Sequence, residues 1–91
     1  LEVMTKDLGW MNLSEAKKAC ADLGDGWRLP TKDELNLLYL NKEKIGGFAN
    51  NRYWSSTEYA YPSAWCQNFR NGLQDFANED YTFYVRAVRA F

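Results

Sequence analysis

Ninety-one residues with 11 Lys and Arg against 12 Asp and Glu carry a net charge of −1, no histidine and two cysteines. A chain of that size makes one domain, residues 1–91, that buries about 60–65% of its unfolded surface. Scattered basic residues exclude the footprint of a nucleic-acid binder, and the missing histidines exclude the usual zinc sites and the Ser-His and Cys-His nucleophile pairs, while Cys20 and Cys66 make no Cys-x-x-Cys motif.

The chain opens on "LEVMTKDLGW", with no basic segment leading into an apolar stretch, so no targeting segment is legible. No apolar run reaches the roughly 18 residues of a membrane span, so direct membrane insertion is not expected. Residues Leu1–Thr5 read as a strand that pairs with the last strand and brings the termini together. In "MNLSEAKKACADLGDG" Asn12 stands three residues before Glu15, a capping-box spacing, and Leu13, Ala16, Cys20 and Leu23 form an apolar stripe. Gly24 or Gly26 ends that helix. Trp27–Pro30 organise the following turn, with Arg28 bonding to backbone or carboxylate oxygens. Thr31 and Glu34 repeat the capping device, and Leu35, Leu38 and Tyr39, widened by Leu37 and Leu40, predict a second amphipathic helix.

From Tyr53 onward the texture becomes β-branched and aromatic, broken by the turn signals "AYPS" at 60–63, "NG" at 71–72 and "NED" at 78–80. Short antiparallel strands are predicted near 53–57, 64–69, 73–77 and 83–90. Helices first and a meander afterwards give an α+β fold, two helices packed on a small twisted antiparallel sheet. Ser55, Ser56 and Thr57 have no base to take a proton, and their hydroxyls serve backbone groups. The spacing of Glu58, Asp75, Glu79 and Asp80 is that of solvated turn carboxylates. No catalytic residue, metal site or cofactor is expected, and Arg86 and Arg89 read as ion-pair partners. Cys20 should be buried, Cys66 should face away from Trp65 and Phe69, and both should be free thiols. All six lysines lie at or before Lys44 and both methionines at or before Met11. Low β-propensity of Lys is one account of that asymmetry.

The words "GWRLPTKDEL", "YWSSTE", "AWCQNF", "NG" and "YVRAVRAF", in that order, resemble a bacterial domain family of unknown function related to C-type-lectin-like folds. Its best-known relative is the ligand-binding end of a collagen-like adhesin, and the resemblance runs from Val3 across nearly the whole chain. Within that family the chain is most similar to variable proteins of bacteria and phages whose carboxy-terminal half is diversified by retroelements acting on asparagine codons. The resemblance implies that Cys66, Arg70, Leu73, Asp75, Phe76, Ala77, Asp80, Tyr81, Thr82 and Phe83 stand at variable positions, between the fixed Trp65, Gln67, Phe69 and Gly72. Substituting the first two bases of an asparagine codon cannot yield Lys or Met, which is a second account of their absence after Lys44. Trp65, Gln67, Gln74 and Glu79 then belong to the template or to other altered codons. The chain departs from sugar-binding C-type lectins: Pro62 lies between Tyr61 and Ser63 rather than between calcium ligands, and "WCQN" stands where Trp-Asn-Asp is needed.

The expected function is therefore a non-catalytic binding module, extracellular or at the cell surface, presenting a diversified surface over about residues 58–83 to a macromolecular target, a protein in the first instance. The alternative is a calcium-independent glycan-binding adhesin domain. The candidate contact residues are Tyr59, Tyr61, Cys66, Asn68, Arg70, Leu73, Asp75, Phe76, Asp80, Tyr81 and Phe83. Trp54, Trp65 and Phe69 are expected in the core. Tyrosine suits a contact surface because it offers a large, rigid, amphipathic area at low side-chain entropy cost; the competing reading is that these aromatics all fill a small core.

Overall fold

Two capping boxes start the two main helices. A computed structural model describes residues 1–90; Phe91, the last residue of the "YVRAVRAF" motif, lies outside them. Helix α1 (Leu13–Asp22) begins where the Asn12 side chain accepts from the Glu15 N–H at 2.9 Å and the Glu15 carboxylate accepts from the Asn12 N–H at 3.0 Å. Helix α2 (Lys32–Leu40) uses Thr31 and Glu34 in the same way, at 3.2 and 2.9 Å. Each box satisfies orphan N–H groups of a first turn, which is why the starts were readable locally. A third helix, α3 (Lys42–Ile45), follows at once and was not foreseen, because a single turn has no periodicity to read.

The strands are β1 (Glu2–Val3), β2 (Gly9–Met11), β3 (Arg52–Ala60), β4 (Ser63–Asn68), β5 (Gln74–Asn78), β6 (Phe83–Val85) and β7 (Val88–Arg89). Five of them form one sheet in the order β2-β6-β3-β4-β5, and β1 pairs with β7 in a second. The expected union of the termini is present: β1 and β7 run antiparallel with Val3 opposite Val88, and Arg89 Nε meets Glu2 Oε1 at 2.7 Å. Three details differ from expectation. The predicted strand over 83–90 is split into β6 and β7, β2 is an extra edge, and β3 meets β6 in parallel through Tyr53 and Tyr84, so the sheet is mixed.

Adjacent residues of β3 sort the core into two halves. Trp54 joins Leu13, Ala16 and Cys20 of α1, whereas Tyr53 joins Leu35 and Leu38 of α2. Successive strand residues point to opposite faces, so α1 covers one face of the sheet and α2 the other. The apolar stripes are narrower than the sequence suggested, since Leu23, Leu37 and Leu40 are exposed.

Between β6 and β7 the chain buries Arg86 completely. Its Nε donates to Asp7 Oδ1 at 2.8 Å, its Nη1 donates to the Met4 and Gly46 carbonyls, and its guanidinium lies 4.0 Å from the Phe48 ring centroid. Asp7 also accepts from the Tyr53 hydroxyl at 2.7 Å. One carboxylate thus ties the amino-terminal segment to β3 and to the connection between β6 and β7. At the rim, Arg28 forms a two-toothed pair with Glu34 at 2.7 and 2.9 Å, and its backbone bridges to Val88. Both arginine roles agree with the sequence reading.

Candidate functional site

Strand β4 decides which aromatic side chains are available. Its burial alternates so that Ala64 and Cys66 enter the α1 side of the core, while Trp65 faces the opposite way and is only half-buried. Two expectations are corrected together. Trp65 is not core, and Cys66, at 1% exposure, is not a contact residue. Gln67 shares the Trp65 face but is covered by α2, where its amide donates to Asn36 Oδ1 at 2.9 Å and to the Gly72 carbonyl at 3.0 Å. Gln74 beside it donates to the Lys32 carbonyl at 2.9 Å. Helix α2 begins at Lys32, so the sheet beyond that point is uncovered, and Trp65 lies just there.

On the uncovered area three aromatic rings meet. Trp65 is the cross-strand partner of Phe76 on β5. Strand β3 takes four steps from Trp54 to Glu58 while β4 takes two from Cys66 to Ala64, and this bulge slides Tyr59 alongside them. Tyr59 and Phe76 stack with centroids 3.9 Å apart and planes 3° from parallel. Trp65 stands edge-on to both, at 5.4 and 6.0 Å. Lys32 places its Nζ 3.7 Å above the Trp65 ring, a cation–π contact that holds the indole in position.

The remaining candidates lie on the opposite face of the sheet and in three turns. Asp75 is the cross-strand partner of Cys66, hence on the face opposite Phe76, together with Asn68 and Arg52. Phe83 closes that group, its ring 4.6 Å from Trp54 and 6.3 Å from Tyr81. Arg70 and Leu73 sit in the β4–β5 turn, where the Asn68 and Asn71 side chains accept their N–H groups at 2.8 and 3.0 Å. Tyr61, in the β3–β4 turn, is 83% exposed, and Asp80 and Tyr81 are exposed in the β5–β6 turn. The eleven candidates therefore do not share one face; the structure brings Tyr59 and Phe76 together on one side and Asn68, Asp75, Tyr81 and Phe83 near one another on the other.

Burial pushes both thiols, Cys20 and Cys66, up to about 11, so neither is a nucleophile at neutral pH. Both cysteines are free. Among the described residues no group of three His, Cys, Asp or Glu side chains is placed to hold a metal ion. A cleft of about 150 Å³ beside α3, lined by Lys42, Glu43, Gly46, Gly47, Phe48 and Asn50, includes none of the candidates.

Comparison with known families matches residues 4–89 to the Lcl C-terminal domain. The chain belongs to that family. The Lcl C-terminal domain family is C-type-lectin-like and occurs in bacterial adhesin and phage proteins, which makes this chain a lectin-like ligand-binding domain of the adhesin type. No curated protein matches the chain. No helix among the described residues is long and apolar enough to cross a membrane. For this Lcl C-terminal domain, sequence reasoning missed Trp65, Lys32 and Arg52 as surface groups. A period-two reading of "SAWCQN" does separate Trp65 from Cys66, but it does not say which side is covered.

Proposed function

We propose that this domain is a non-catalytic binding module whose residues 58–83 present a diversified surface to a macromolecular target, a protein, outside the cell or at its surface. The reading includes kinship with variable proteins of diversity-generating retroelements, supported by the confinement of Lys and Met to residues 1–44. The observation that carries it is the exposure of Tyr59, Tyr61, Leu73, Phe76 and Tyr81, each 44–83% accessible, within one short stretch of chain. Large apolar side chains concentrated this way on a small domain are what a contact surface needs, because buried aromatic anchors dominate interface energy. Asn68, Asp75 and Asp80 add polar groups, and Arg70 adds a charge suited to a carboxylate on the target.

The stacked Tyr59–Phe76 pair with Trp65 favours a second reading, a calcium-independent glycan site in which a sugar ring lies on the aromatic shelf. A glycan array separates the two. The direct test changes Tyr61, Phe76 and Tyr81 to Ser together and, in parallel, randomises the exposed positions in a displayed library. The expected outcome is a melting temperature within a few degrees of the parent, a mostly protease-resistant library, and recovery of binders to unrelated immobilised proteins. Collapse of the triple variant, or a library that is mostly unfolded, overturns the proposal, since such residues would then hold the fold together.

A further inference from the structure

Strand β5 ends the five-stranded sheet, and its outer edge has no partner strand among the described residues. Two observations show which of its backbone groups face outward. The register of β4 on β5 continues into the hydrogen bonds from Asn68 N–H to the Leu73 carbonyl (2.9 Å) and from Glu79 N–H to the Pro62 carbonyl (2.8 Å), so alternate residues Leu73, Asp75, Ala77 and Glu79 bond inward. The Phe76 N–H, by contrast, is taken by the Asp75 carboxylate at 2.8 Å. Gln74, Phe76 and Asn78 therefore turn their peptide groups to the open edge. The Asn78 carbonyl is engaged by the Tyr81 N–H at 3.0 Å, which closes the far end.

Resting on the protein-binding reading above, we propose that this edge takes an extended, basic peptide segment of the target as a sixth, antiparallel strand. Alternating outward N–H and C=O groups match another polypeptide backbone, and a sugar ring has no such repeat. A residue opposite Phe76 would lie on the Tyr59–Trp65–Phe76 shelf, so an aromatic or large aliphatic side chain fits there. Its two neighbours point to the other face, toward Asp75. From Asn71 to Val85 the chain carries Asp75, Glu79 and Asp80 and no Lys or Arg, so those neighbours should be basic. The same charge argues against a second copy of this chain as the occupant, because two β5 edges would bring their carboxylates into one seam. Asp75 thus has two tasks: it caps the Phe76 N–H while the edge is empty and offers a negative charge to the incoming strand.

The test uses a blocked, dye-labelled peptide of the length of β5, five residues, in the order valine, arginine, tryptophan, arginine, valine. Fluorescence anisotropy with the whole domain should show saturable binding. N-methylation of the valines and tryptophan removes the edge-facing donors and should weaken binding about tenfold or more, whereas N-methylation of the arginines should change it about twofold or less. Asp75→Asn keeps an acceptor for the Phe76 N–H but loses the charge, and should weaken the basic peptide several-fold while leaving circular dichroism and melting unchanged. No binding at millimolar peptide, indifference to the position of the methyl groups, or a dimer in sedimentation that an Asp75→Lys change disrupts, each overturns the proposal. Failure here is separable from failure of the wider reading, because Tyr61 lies in the β3–β4 turn and Tyr81 in the β5–β6 turn, and replacing these two by Ser tests contact that does not depend on edge pairing.

Discussion

Replacing Trp54 and Trp65 separately by Ala should produce very different losses, although the two residues are both tryptophans on neighbouring strands. Trp54 has no exposed surface, donates its Nε1–H to the Met11 carbonyl at 3.1 Å and packs 4.6 Å from the Phe83 ring. Truncating a buried aromatic costs about 3–5 kcal/mol. Total stability for 91 residues is about 5–14 kcal/mol, so Trp54→Ala consumes a large share of it. At about 4–8 °C per kcal/mol, a loss of about 4 kcal/mol lowers the melting temperature by about 16–32 °C. Trp65 instead loses one cation–π contact with Lys32, worth about 0.5–1 kcal/mol. It also loses edge-on contact with the Tyr59–Phe76 stack, about 0.5–1.5 kcal/mol. These contacts, about 1–2.5 kcal/mol, add to the burial of an indole that is only half covered, so the Trp65 loss stays below the Trp54 loss. Urea titrations of both variants at pH 7, with the slope checked for constancy, measure the difference. Equal destabilisation, or a larger loss at Trp65, would refute the assignment of the β4 faces.

The Arg28–Glu34 pair predicts a pH effect. Hydrogen bonds from Arg28 hold the Glu34 carboxyl down from 4.5 to about 2, so the stability it supplies is complete above about 4.5 and is lost as pH falls toward about 2; the urea midpoint of Glu34→Gln should fall less than that of the parent across that interval, and parallel curves would refute it. Gly72 has φ +81°, and a Cβ there would lie 2.5 Å from the Tyr39 ring. Gly72→Ala should therefore cost more than the ~1–2 kcal/mol of a left-handed residue alone, with part of the loss recovered by Tyr39→Ala in a double-mutant cycle. Both thiols are buried and weakly acidic, with values of about 11, so a thiol reagent at pH 8 should react slowly with the native domain but rapidly, at both cysteines, in denaturant. Rapid native labelling would contradict the packing of Cys20 and Cys66.

Local chemistry was the legible part of this fold. Asn12 with Glu15 and Thr31 with Glu34 satisfy each other within one turn, so helix starts are written in four residues and appear where expected. The pairing of the first strand with the last was legible from the segments around them, each of which carries a valine beside a residue of opposite charge, Glu2 and Arg89. Two other short elements were not: β2 with three residues and α3 with four barely exceed one period of a strand or a helix, so neither repeats its pattern. The split between β6 and β7 follows from Arg86, whose side chain is drawn inward by Asp7, Met4 and Gly46, residues 40 or more positions away.

The exchange of Trp65 and Cys66 has a different origin. Alternation along β4 divides its side chains into two sets with certainty, since the period is two. It does not say what lies over each set, and a sheet packed by a helix on each face has no polar side for contrast. Size then points the wrong way: the larger residue, Trp65, looks like core and the smaller, Cys66, looks replaceable. What decides is the length of α2. Because that helix starts at Lys32, it covers Gln67 and Gln74, a polar pair bonded to Asn36 and to the Lys32 carbonyl, and leaves Trp65 and Phe76 beyond its end. Under α2 this face therefore buries a polar pair beside Tyr53 and Phe69, while Trp65 and Phe76 lie outside its cover. An inversion of that kind costs a monomer hydrophobic burial it would otherwise gain, which supports reading the aromatic shelf as a surface meant to be covered by something else.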